Sequence, residues 1–179
     1  MLRTILFFGA IAGVIVIAPM SVMAVNTDHG SLTRSMIVGF AIMIAAFSLI
    51  FVGVKRFRDH ARGGVIRFLP AFLMGLGISA VASLIYVIGW EITLAATDMN
   101  FMESYSAAVI AEAKARGASG AELAALARKL AKSTADYANP LYRMPVTFTE
   151  IFPVGFIISL ISAALLCNRR FLPLKVAEG

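Results

Sequence analysis

Glu91 and Glu150 are the side chains of this sequence best placed to do chemistry, because each is a lone acid at the edge of a long apolar run. An acid held at the centre of a membrane span costs about 2.5–3.5 kcal/mol, so one retained near a span calls for a partner or a task. Two carboxylates at one membrane level could share a proton or bind a divalent cation, with Asp98, Arg143 or Tyr142 close by. That pairing would suit a proton- or cation-coupled transporter or channel built from several copies. It would equally suit a membrane enzyme that uses the two groups as acid and base on a lipid or envelope substrate. The structural alternative is stronger. Thr147-x-x-Glu150 reads as a capping box opening a helix, where a carboxylate also meets a favourable macrodipole. Trp90 beside Glu91 fits an interfacial aromatic belt, and Arg34 or Arg143 can pair with either acid.

Other chemistries lack their residues. His29 and His60 are too few and too far apart for a histidine metal site. The chain has no phosphate-binding loop, nucleophile elbow or dinucleotide fingerprint. Cys167 is the single cysteine, which leaves neither an intrachain disulfide nor a zinc-binding cysteine cluster. No catalytic residue, metal site or cofactor is expected.

The elements that position these acids are apolar. Of 179 residues, 60% are hydrophobic and 15% charged, and mean hydropathy is +0.87, well outside the range of soluble domains. Four runs, Thr4–Val25, Ser35–Val54, Phe68–Leu94 and Val146–Leu166, are each long enough to cross a hydrocarbon core of about 30 Å as a helix. With the third span starting near Phe68, Glu91 lies about 34 Å along it, at the far interface. Val22-Met23-Ala24 also fits a signal-peptide cleavage site. The length of the first run and its Gly9-x-x-x-Gly13 spacing favour a retained helix. Gly75, Ser79 and Ser83 recur every four residues and give the third span a small-residue face.

The net charge of +6 does not point to nucleic acid, because the basic residues flank the apolar runs. Lys55, Arg56, Arg58, Arg62 and Arg67 form a basic loop between the second and third spans. Arg3 precedes the first span, and Arg169, Arg170 and Lys175 follow the fourth. Both termini and this loop are therefore expected in the cytoplasm of a bacterial inner membrane. The loop fixes topology, or grips anionic lipid headgroups; Gly63-Gly64 supplies its turn.

Residues 98–143 form the one sizeable insertion, on the outer side. A helix over Met102–Ala115, a break at Gly117–Gly120, and a second helix opened by the Ser119/Glu122 capping box make a helical hairpin. Leu123, Leu126, Leu130 and Tyr137 fall on one stripe of the second helix, opposite Arg128, Lys129, Lys132 and Asp136. The stripe is expected to pack within the molecule, and Asn139-Pro140 ends the hairpin.

Specific words along the chain carry a resemblance. They are Ala46-Phe-Ser-Leu-Ile-Phe-Val-Gly-Val-Lys-Arg-Phe-Arg-Asp59, Gly63-Gly64, Phe68, Ala71-Phe72, Gly75 and Ser83-Leu-Ile-Tyr86. Trp90-Glu91, Asn139-Pro-Leu-Tyr142 and Thr147-Phe-Thr-Glu-Ile-Phe-Pro-Val-Gly155 complete the set. Together, over nearly the whole chain, they resemble the bacterial membrane family called domain of unknown function 4199. The resemblance implies a small multi-span inner-membrane protein and supplies no activity.

The expected architecture is thus an all-α, single-domain bundle of four transmembrane helices with an extracytoplasmic helical hairpin between the third and fourth. The preferred function is a non-enzymatic structural or accessory component. Its expected partners are the bilayer and either itself or another membrane protein.

Overall fold

Apolar runs long enough to span a bilayer satisfy their backbone polar groups internally only as helices, and helices are what these runs form. The computed structural model describes residues 1–25, 32–97 and 101–173. His29, Asp98, Lys175 and the side chain of Arg34 lie outside the described residues. The elements are α1 (Leu2–Val25), α2 (Leu32–Ala61), α3 (Phe68–Ala96), α4 (Phe101–Ala115), α5 (Gly120–Tyr137) and α6 (Pro140–Leu166), with no strand among the described residues. Four of them, α1, α2, α3 and α6, are long and apolar enough to cross a membrane.

Two boundaries differ from the sequence expectation, each for a local reason. α2 continues past Val54 through Lys55–Ala61, because Lys and Arg are good helix formers and basic groups are favoured in a last turn. It stops where Gly63 and Gly64 take φ of +58° and +84°, a conformation that side chains disfavour. Lys55, Arg56 and Arg58 are therefore helical, and only Arg62 and Arg67 remain in the connection. At the other end, α6 begins at Pro140 instead of Val146. Asn139 caps it, its Oδ1 accepting the Leu141 N–H at 3.0 Å, and Pro140 sits where no helical N–H partner is required. Thr147 and Glu150 consequently lie inside a helix already under way and form no capping box. Pro153 is likewise interior, so with Pro145 it deprives an upstream carbonyl of its helical partner.

The Ser119/Glu122 box does form. The Ser119 Oγ accepts the Glu122 N–H at 3.3 Å, and the Glu122 carboxylate accepts the Ser119 N–H at 2.7 Å. That backbone hydrogen bond holds the Glu122 carboxyl below its usual range. α5 packs on α4 and touches α6. Its Leu123, Leu126, Leu130 and Tyr137 stripe is half-buried, while Arg128, Lys129, Lys132 and Asp136 are exposed.

In the bundle, α1 meets α2 and α3, and α6 meets the same two helices, so α1 and α6 occupy opposite corners. Small residues set the closest approaches. A Cβ at Gly13 would stand 2.8 Å from Ile85 Cβ, and one at Gly75 2.8 Å from Ser159 Cβ. Ser79 and Ser83 on α3 are fully buried. Outward, large apolar groups such as Phe7, Ile37, Leu69, Ile92 and Ile157 stand more than half exposed. A belt of this kind around a bundle is a lipid-facing surface.

An even number of crossings brings Arg3, Arg56, Arg62, Arg67, Arg169 and Arg170, all exposed, to one end of the bundle. The α4–α5 hairpin stands at the other. Gly13→Leu should cost about 1–3 kcal/mol through overpacking against Ile85, read as a lower thermal midpoint in detergent. Gly120→Ala, whose added Cβ meets nothing within 4 Å, should leave that midpoint unchanged or raise it.

Candidate functional site at the hairpin end

The first turn of α6 carries Arg143 inward, where its side chain is 2% exposed. Its Nε donates to Glu91 Oε1 at 2.7 Å, and its Nη2 donates to Glu91 Oε2. A planar guanidinium matched to both carboxylate oxygens is the strongest ion-pair geometry proteins use. A third bond, from Nη1 to the Tyr137 carbonyl at 3.1 Å, ties the pair to the end of α5. The same guanidinium lies 5.7 Å from the centre of the Tyr137 ring. Arg143 therefore fastens α3, α5 and α6 together, and it neutralises Glu91. Tyr142, next in sequence, points away and is 50% exposed.

Tyr137 in turn holds Trp90. The indole Nε1–H donates to the Tyr137 hydroxyl at 2.7 Å, so both polar atoms are satisfied at a wet–apolar boundary. Burial holds the Tyr137 hydroxyl above the ordinary tyrosine range, and the negative charge of Glu150 pushes the same way. Aromatic rings continue from there. Tyr86 stacks on Trp90 at 6.4 Å between centroids, Phe101 meets Trp90 edge-on at 4.9 Å, and Tyr105 stacks on Phe101 at 6.2 Å.

These rings line a cavity of about 930 Å³ to which all six helices contribute. Met20, Met23, Met36 and Met43, from α1 and α2, also line it. Methionines suit an adaptable apolar surface. Ser21 on α1 steadies that side by donating to Thr93 Oγ1 at 2.6 Å, since Thr93 itself donates to the Gly89 carbonyl. Among the described residues three charged groups reach the cavity: Glu112, Arg116 and Glu150. Glu112 and Arg116 pair with each other along α4. Glu150 is accessible from the cavity and has no hydrogen bond or ion pair among the described residues.

The two acids singled out in the sequence thus have different circumstances. Glu91 is closed in a salt bridge with Arg143, whereas Glu150 faces the cavity. Sequence reading missed the ring wall, although Tyr86/Trp90 and Phe101/Tyr105, each four residues apart on a helix, carried its signal.

At the basic end the correction is larger. Arg58, read as part of a topology-setting loop, is fully buried. It donates to Asp59 at 2.8 Å and to the carbonyls of Phe171 and Leu172 at 3.0 and 2.5 Å. Lys55 completes the cluster on Asp59 at 2.6 Å. Arg58 therefore anchors the segment after α6 and is closed to lipid. Arg62 and Arg67 line a smaller cavity of about 380 Å³ there, with Val65, Ile66 and Pro70.

A family model, described as protein of unknown function (DUF4199), matches residues 7–168. The chain belongs to this family. The match covers the first candidate span from residue 7 onward and the other three in full, together with the hairpin that roofs the cavity. No curated protein and no solved structure matches the chain.

The Glu91–Arg143 pair predicts a cycle. Glu91→Leu strands a buried guanidinium and should destabilise by about 3 kcal/mol, the low end for a broken buried pair. Adding Arg143→Met should recover part of that loss, so that the two changes are less than additive. Chemical denaturation in detergent micelles reads the difference; strict additivity would show that the pair is not coupled.

Proposed function

We propose that this chain is a non-enzymatic component of a bacterial inner membrane that holds a small, largely apolar molecule in the cavity beneath α4. The observation carrying this reading is the division of labour between the two acids. A shared acid–base pair or a two-carboxylate cation site needs both groups free, and Arg143 occupies Glu91 on both oxygens. What remains in the apolar chamber is one carboxylate, Glu150, with no ion pair among the described residues. The chamber's volume falls at the upper end of small-molecule sites, about 300–1,000 Å³. A transport role, which would call for several copies, rests on Glu150 alone.

The topology proposed with it places both termini and the basic end in the cytoplasm and the hairpin outside. Six exposed arginines at one end support this orientation through the positive-inside bias. α1 is taken as a retained span. Its Ala12 and Val16 are fully buried in the bundle, and a cleaved leader would leave the cavity without Met20 and Met23.

Two measurements test the proposal. Alkaline phosphatase should be inactive when fused within Arg62–Arg67 and active when fused at Gly117; the reverse pattern overturns the orientation. Native mass spectrometry of the protein released from membranes in mild detergent should show one small-molecule adduct per chain. Ala108→Trp, which fills the cavity from α4, should lose it. A wild-type chain that never carries an adduct overturns the binding reading.

A further inference from the structure

We infer that the cavity selects a lipophilic organic monocation, with the aromatic wall enclosing its apolar body and Glu150 balancing its charge. This rests on the binding reading above and names the ligand class it leaves open.

Three observations converge on a cation. First, the cavity's charged groups are unbalanced among the described residues: Glu112 and Arg116 cancel in their own ion pair at the α4 mouth, leaving the charge of Glu150 without a counter-charge there. Second, Glu150 stands in a span with no ion pair among the described residues; a carboxylate there is expensive, and a bound cation would relieve the cost. Third, Tyr86, Trp90, Phe101, Tyr105 and Tyr137 line the same chamber. Ring faces attract a cation within about 6 Å of their centres, and tryptophan does so best. Trp90 and Tyr137 are pinned by their mutual hydrogen bond, so the cage is preorganised.

The cavity's composition also decides between kinds of cation. A hydrated inorganic ion needs several oxygen ligands, and here, with Glu112 held by Arg116, Glu150 is the one carboxylate of the described lining left among rings and methionines. A zwitterionic headgroup would need a free cationic partner for its phosphate, and Arg116 is already engaged. A bulky, weakly hydrated cation such as a quaternary ammonium or phosphonium requires neither.

Trp90 is the one tryptophan of the chain, so its fluorescence reports the cavity directly. Tetraphenylphosphonium and tetraphenylborate, alike in shape and opposite in charge, are the probes, titrated into full-length protein in neutral detergent. Wild type should bind the phosphonium saturably and at least tenfold more tightly than the borate. Glu150→Gln should weaken phosphonium binding by tenfold or more without weakening the borate, and Tyr105→Ala should weaken the phosphonium severalfold. Ala108→Trp should abolish both. Retained helical circular dichroism in each variant shows that the fold survives.

Equal binding of the two probes, or an unaltered charge preference in Glu150→Gln, overturns the cation inference. So does a phospholipid adduct that the phosphonium cannot displace. If neither probe binds while native mass spectrometry still shows an adduct, the cation inference falls and the binding reading stands. If there is no adduct and no probe binding, both fall.

Discussion

The hairpin end of this molecule hangs on one forked ion pair. Arg143 meets both oxygens of Glu91 with the Nε/Nη2 edge of its guanidinium and reaches the Tyr137 carbonyl with Nη1. Each partner comes from a different helix, so the pair sets the height of α3 against α6 and the place where α5 must end. Tyr137 then has one available position, and from it the phenol accepts the Trp90 indole. The ring wall of the cavity follows from that position. The interaction is strong because both charges are largely shielded and each guanidinium nitrogen has a target, which separates it from an exposed pair on a helix surface.

A second anchor does comparable work at the opposite end by different means. Arg58 has a carboxylate neighbour in Asp59, but two more of its bonds go to carbonyls beyond the end of α6, where no helical N–H is left to satisfy them. Phe171, held by this network, meets Phe51 edge-on at 6.2 Å. Between the two anchors the bundle has almost no ionic chemistry. It relies on glycine and serine at close approaches and leaves its bulky side chains to face lipid. In hydrocarbon the hydrophobic effect does not drive helices together, so packing and a few polar ties must hold the ends in register.

The spans were legible in the sequence because hydrophobic length is a one-dimensional property. Apolar runs, turn glycines and the Ser119/Glu122 box need no knowledge of neighbours. The hairpin stripe was readable for the same reason. What misled was local ambiguity. Thr147-x-x-Glu150 has the spacing of a capping box, yet Asn139-Pro140 is the better helix start and lies upstream, so the box falls inside α6. Arg58 looked like its basic neighbours, and only the returning segment at Phe171–Leu172 makes it a buried anchor. The pairing of Glu91 with Arg143 was among the alternatives the sequence left open. Choosing it required knowing which faces of α3 and α6 meet, which is a tertiary fact. The aromatic wall was hidden for the same reason, since its rings come from three helices.

The construction of the cavity has a dynamic corollary. Its bundle wall is carried by α1, α2, α3 and α6, which share a continuous core. Its roof, α4, has no buried residue and packs mainly on α5. α5 in turn is held near its end by Tyr137, through Trp90 and through the carbonyl that receives Arg143. Local opening free energy follows buried contact, so the roof is the least costly part of this chamber to displace and the Arg143 cluster the most costly. A molecule entering from the hairpin side would therefore pass under α4 while Trp90, Tyr137 and the Glu91 pair stay fixed. Glu150 belongs to the fixed side. The charge that would recognise a ligand thus sits on the rigid part of the molecule, and the element that must yield to admit it carries a self-neutralised ion pair and two of the rings, Phe101 and Tyr105.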